Sequence, residues 1–171
     1  TGVQTCALPI LEHEDINKIA FTGSTDVGKM IMKSVAGTGK KYTLELGGKA
    51  ANIIFEDAAI DQAVEGIIDG IFFNQGHVCC AGSRLFVQES VADTVISKLK
   101  DRMESLIVGD PLGKKTDIGA INSKMQLEKI KMYVDIGQKE GGSVHQSSCG
   151  FPEKGYWHAP TLFTDVSQSH R

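Results

Sequence analysis

With 171 residues, 41% of them apolar, and a net charge of −3, the chain has room for one ordinary domain or parts of two. No basic block interleaved with aromatics points to nucleic acid. No apolar run approaches the roughly 20 residues of a membrane span, and no signal peptide is read. Cys6, Cys79, Cys80 and Cys149 lack the spacing of a disulfide framework, and two of them are adjacent, so a reduced, cytoplasmic setting is expected. The opening TGVQTCALPI, residues 1–10, matches a sequencing adapter translated in one frame and is expected to be a library scar. A native loop with a free Cys6 is the alternative.

Taken in order, Ile19–Thr22 reads as a short buried strand ending at Gly23. Val27, Met30, Ile31, Ser34 and Val35 follow at helical spacing, giving a helix that opens around Ser24–Thr25 and stops at Gly37. Tyr42–Leu46 is a second strand, ended by Gly47-Gly48. Asn52–Phe55 is a third, apolar enough to be buried on both faces. Ile60, Ala63, Val64, Ile67, Ile68, Ile71 and Phe72 form one stripe on a long helix that ends at Asn74-Gln75-Gly76. Arg84–Gln88 is a strand. Val91 to Leu106 marks a further helix, and Leu127, Ile130 and Val134 another, with turn signals between them at Gly109–Gly113. The Gly- and Ser-rich segment 141–156 reads as loop with little strand in it. Alternating strands and helices imply an α/β fold with mostly parallel strands.

Three stretches carry chemistry. Gly23-Ser24-Thr25-Asp26-Val27-Gly28-Lys29 sits where a strand hands over to a helix, whose free N–H groups and positive dipole end suit a phosphate. Gly23 would let backbone approach closely, and Ser24 would add a hydroxyl. The stretch reads equally well as a capped helix after a tight turn. It also approaches a nucleotide-triphosphatase loop, with NIIFED (Asn52–Asp57) imitating the acidic strand of such proteins, but Met30 stands where a magnesium-binding hydroxyl is needed. Leu44-Glu45-Leu46-Gly47-Gly48 puts one carboxylate between two leucines at a strand end. It is either a solvent-facing Glu or a base in a partly apolar site. Asn74 to Arg84 (NQGHVCCAGSR) places cysteines in a glycine-bordered loop, as nucleophile or as small buried hydrophobes. A metal site at His77 and the cysteines lacks further ligands at matching spacing, so no metal is expected.

In this order the stretches FTGSTDVGK, LELGGKAANIIFEDA, FFNQGHVCCAGSRLFVQES, VGDP and GYWHAPTLFTDV resemble the aldehyde dehydrogenase superfamily, from about Ile16 to Val166. The resemblance implies a partial aldehyde dehydrogenase fold. Residues 11–46 would close a Rossmann-like NAD(P)-binding domain, and 47–171 would form much of the catalytic domain. It implies Cys79 as nucleophile, three residues after Gly76, and Glu45 as general base of deacylation. It further implies Gly23, Ser24, Gly28 and Leu46 at NAD or NADP, with Leu46 beside the nicotinamide. A small-molecule aldehyde is the implied substrate, and a homodimer or homotetramer the implied assembly. His77 stands where the family usually has Gln or Glu, which implies a modified pH profile testable with His77→Gln. Ala51 replaces a frequent Pro. The family's oxyanion-stabilising Asn, its ribose-binding Glu and the first strands of its nucleotide-binding sheet are expected outside the chain, so the segment alone is expected to be inactive and, with an unpaired sheet edge and open apolar faces, poorly soluble. A non-catalytic family member and a P-loop-like nucleotide-binding module are the alternatives.

Overall fold

The computed structural model describes residues 9–170, so residues 1–8, most of the stretch read as an adapter scar, lie outside the described residues. The chain divides into two compact units, one up to Gly48 and one from Lys49.

In the first unit, strand β1 (Lys18–Gly23), helix α1 (Thr25–Val35) and strand β2 (Lys41–Leu46) follow one another. The strands pair in parallel, in register from Lys18–Lys41 to Gly23–Leu46. The helix starts at Ser24 because its Oγ accepts the Val27 N–H at 3.3 Å, satisfying one of the donors a helix start leaves over. It ends where Gly37 takes a positive φ of 78° and the Thr38 hydroxyl donates to Val35 O at 2.7 Å. Ile31 and Val35 turn inward onto Leu11 and Ile19, with Val27, Phe21 and Leu44 at the margin. β1 is therefore buried on one side only. Lys18, Ala20 and Thr22 stay exposed, against the expectation of a fully buried strand.

The second unit begins with β3 (Ala51–Ile54), parallel to β4 (Arg84–Val87). Helices α2 (Ile60–Phe72) and α3 (Glu89–Glu104) bring together Val64, Ile67 and Ile68 with Val95, Leu99 and Met103. Leu106, Val108 and Ile118 complete that core, and Ile54, Leu85 and Val87 pack on it from the sheet. Val95, Leu99 and Met103 are at most 2% exposed, each contributing about 1.5–3 kcal/mol by removal from water. Strand alternation sends Ile53 and its register partner Phe86 to the other face, where they are 62% and 48% exposed. The expectation that this strand is buried on both faces is thus corrected: its apolar residues are shared between a covered and an open face.

Helix α4 (Lys124–Lys139) is capped by Ser123, whose Oγ accepts the Gln126 N–H. Behind it β5 (Ser143–Gln146) pairs antiparallel with β6 (Thr161–Thr164). The segment read as loop with little strand in it thus holds the four-residue β5, and among the described residues two of the three strand pairs are parallel. Glu104, at the end of α3, fastens this hairpin. It accepts the Ser148 N–H at 3.0 Å and the Ser148 hydroxyl at 2.8 Å. His145 Nε2 lies 3.1 Å from the other Glu104 oxygen, at charge-pairing distance though outside hydrogen-bond geometry.

Candidate active site

In the first unit the parallel register brings β1 and β2 to an end together, with Thr22 opposite Glu45 and Gly23 opposite Leu46. Ser24 caps α1 at the same strand end. A Cβ on Gly28 would stand 2.8 Å from Leu46 Cδ2 and 2.9 Å from Cδ1, so the absence of a side chain lets α1 sit against Leu46. Gly23, Ser24, Gly28, Leu46 and Glu45 are thereby gathered at one end of the sheet. The Phe21 ring reaches within 2.5 Å of where a Cβ on Gly23 would be, so the absence of a side chain at Gly23 makes room for Phe21. Glu45 is exposed. Its leucine neighbours in sequence lie on the opposite side of the strand, facing α1, so they give the carboxylate no apolar enclosure within this unit.

In the second unit α2 runs out at Phe72 into Phe73–Gly76, where Asn74 (φ 48°), Gln75 (φ 55°) and Gly76 (φ 73°) take left-handed backbone in succession. The His77 N–H donates to Asn74 O at 2.9 Å, and Asn74 Nδ2 donates back to His77 O at 3.2 Å. The Gln75 amide, oriented by its partners, donates to Asn74 O at 3.1 Å and accepts the Gly119 N–H at 3.0 Å. His77 Nε2 is shielded from solvent and has no hydrogen-bond partner among the described residues.

The Ala81 N–H then reaches back to Val78 O at 3.1 Å. Cys79 and Cys80 are the two central residues of that turn, both with free thiols and both exposed. Val78 and Cys80 line a cavity of about 480 Å³ together with Phe72, Phe73, Leu106 and Ile118. The turn is closed behind by Gly82, whose N–H donates to Gly70 O at 3.0 Å and whose carbonyl accepts from Asn52 Nδ2 at 3.1 Å. Sequence reasoning passed over Asn52 and the Gln75–Gly119 link. A polar residue inside an apolar strand run was the available signal for Asn52; nothing in the sequence marks Gly119. Among the described residues no group of three His, Cys, Asp or Glu side chains is placed to hold a metal ion, and no helix is long and apolar enough to cross a membrane.

An α/β chain with these strand-end and turn motifs matches the aldehyde dehydrogenase family over residues 1–171. It is 46% identical over 157 residues to an aldehyde dehydrogenase of Davidiella tassiana, covering 91% of this chain and 32% of that protein. Among solved structures, the NAD+ complex of an aldehyde dehydrogenase from Bacillus cereus superposes with a TM-score of 0.88 at 42% identity, over 96% of this chain and 33% of that one. An NAD-dependent aldehyde dehydrogenase from Sinorhizobium meliloti gives 0.87 at 36% identity, over 95% of this chain and 33% of that one. The chain belongs to the aldehyde dehydrogenase family, and it spans about a third of the length of the relatives it matches.

Proposed function

We propose that the full-length protein carrying this segment oxidises an aldehyde to a carboxylic acid with NAD or NADP, Cys79 being the nucleophile and Glu45 the general base. Supporting this most directly is the exposed Cys79 at the centre of the Val78–Ala81 turn, just after a run of left-handed backbone, in a chain of this family. Residues up to Leu46 then belong to the cofactor-binding domain and the following ones to the catalytic domain. The donor set fits a dinucleotide. Ser24 offers a hydroxyl, and the Thr25 and Asp26 N–H groups belong to the first turn of α1, where a helix leaves donors over for an anion. Leu46, packed on Gly28, offers an apolar surface at the same end. When bound, the nicotinamide supplies the two-electron acceptor of the reaction.

The Cys79 thiolate adds to the aldehyde carbon, and the carbonyl electron pair moves onto oxygen. The Cys79 and Cys80 N–H groups, left over by the turn, are the donors this chain offers that oxyanion. Loss of hydride re-forms the carbonyl as a thioester on Cys79. Glu45 takes a proton from water, whose oxygen attacks the thioester, and the thiolate leaves with the acid as product. The presence of Glu45 favours water over a thiol as the acyl acceptor.

NAD(P)H formation by the full-length protein with short aliphatic and aromatic aldehydes tests this. Cys79→Ala is expected to abolish turnover. Glu45→Gln is expected to slow deacylation while leaving a burst of NAD(P)H. A folded protein that binds NAD yet turns over no aldehyde would overturn the proposal in favour of a non-catalytic family member.

A further inference from the structure

The reactive turn is the centre of the site, and what fixes it in place lies outside it. Gly82, two residues after Cys80, is buried and held from both sides. On one side its N–H is bound by Gly70 O of α2; on the other its carbonyl is bound by the Asn52 amide of β3. A Cβ on Gly82 would stand 2.2 Å from Asn52 Nδ2 and 2.8 Å from its Cγ, so the Asn52 side chain fills the space that a side chain at Gly82 would need. Two residues on, Arg84 enters β4 with its N–H on Ala50 O and its Nε on Lys49 O at 2.9 Å. Asn52 is the one of these contacts made by a side chain aimed at the turn's own exit.

We propose that Asn52 is a positioning residue for Cys79: its amide, by binding Gly82 O, sets where the Val78–Ala81 turn presents the thiol and the N–H groups beside it. This rests on the reading of Cys79 as nucleophile. A buried carbonyl deprived of its donor moves to find another, and a shift of the reacting atom on the order of 1 Å costs up to about a hundredfold in rate.

The test uses the full-length protein in a Cys80→Ala background, with iodoacetamide labelling of Cys79 read by peptide mass beside steady-state kinetics. Asn52→Ala is expected to lower kcat and slow Cys79 alkylation, each by about tenfold, with KM for NAD changed less than about twofold. Asn52→Asp keeps the shape but replaces the donor with an acceptor, and is expected to show the same loss if the Ala variant does not fold. Unchanged kcat and alkylation rate in whichever variant folds would overturn the proposal. So would a rise in KM for NAD with kcat intact. Turnover retained by Cys79→Ala would instead refute the nucleophile assignment, an outcome recognisable whatever Asn52 does.

Discussion

Asn74 and Gln75 are costly backbone, because left-handed conformation costs most non-glycine residues about 1–2 kcal/mol, whereas the glycine at Gly76 adopts it freely. Asn and Gly bear it best, and Gln75 is held there by its amide bridge to Gly119 and Asn74. A side chain at Gly76 has no such latitude: a Cβ there would stand 3.1 Å from Ile71 O, a backbone atom that cannot rotate away. Gly76→Ala is therefore expected to destabilise the full-length protein by about 1–3 kcal/mol, from the φ penalty plus crowding. Denaturant titration checks this, and a midpoint unchanged from wild type would contradict it. Strain of this kind next to a reactive group is how a loop fixes a side chain without a regular element around it. The left-handed run was only half legible in the sequence. Asn74 and Gly76 are residues that tolerate such backbone, whereas nothing about a glutamine announces it.

Among the elements, the helices were the most legible. Ile31 and Val35, then Val64, Ile67 and Ile68, then Val95, Leu99 and Met103 each repeat at helical spacing and each turn out buried. The hairpin β5–β6 was not. Ser143–Gln146 holds a single aliphatic residue, Val144, 37% exposed, and becomes a strand because Thr161–Thr164 offers it a ladder from fifteen or more residues away. Part of its anchorage is electrostatic. The Ser148 N–H and hydroxyl, with a smaller contribution from His145, hold the Glu104 carboxyl below the ordinary glutamate value of 4.5. The Ser143 and Thr164 hydroxyls hold Asp165 low in the same way. A carboxyl depressed by folding contributes stability that is fully present above its unfolded value and lost as pH falls through the folded one. Glu104→Gln should therefore flatten the acid side of the stability profile, narrowing the difference from wild type as pH drops below 4.5. Thermal melts between neutral and acid pH read this out. A gap between the two proteins that stays constant over that range would contradict it.

At the scale of the whole chain, the two units are unequal in what they bury. Among the described residues the first rests on a cluster of four buried residues, Leu11, Ile19, Ile31 and Val35, packed beside the two-stranded sheet and α1. A pair of strands with so small a core is marginal by itself, since small units bury too little of the surface their chains expose. The second has nine buried core residues and two helices crossed by ion pairs, Arg102 to Glu65 at 2.8 Å and Lys98 to Asp61 at 2.8 Å. Those exposed pairs add little; the apolar contacts decide the difference. Ile53, Phe55 and Phe86 meanwhile leave an apolar sheet face open, a surface that promotes association. Expressed alone, the 171-residue chain is expected to self-associate. Its amide hydrogens in β1, α1 and β2 should exchange well ahead of those in α2 and α3. Hydrogen exchange by mass spectrometry measures both units in one sample, and sedimentation measures the association. Equal protection across Lys18–Leu46 and Ile60–Glu104 would mean that the chain unfolds as one cooperative body. A monodisperse monomer would mean that the open face of β3 and β4 is too small to drive association, and the ranking of the two units by buried core would stand or fall on the exchange data alone.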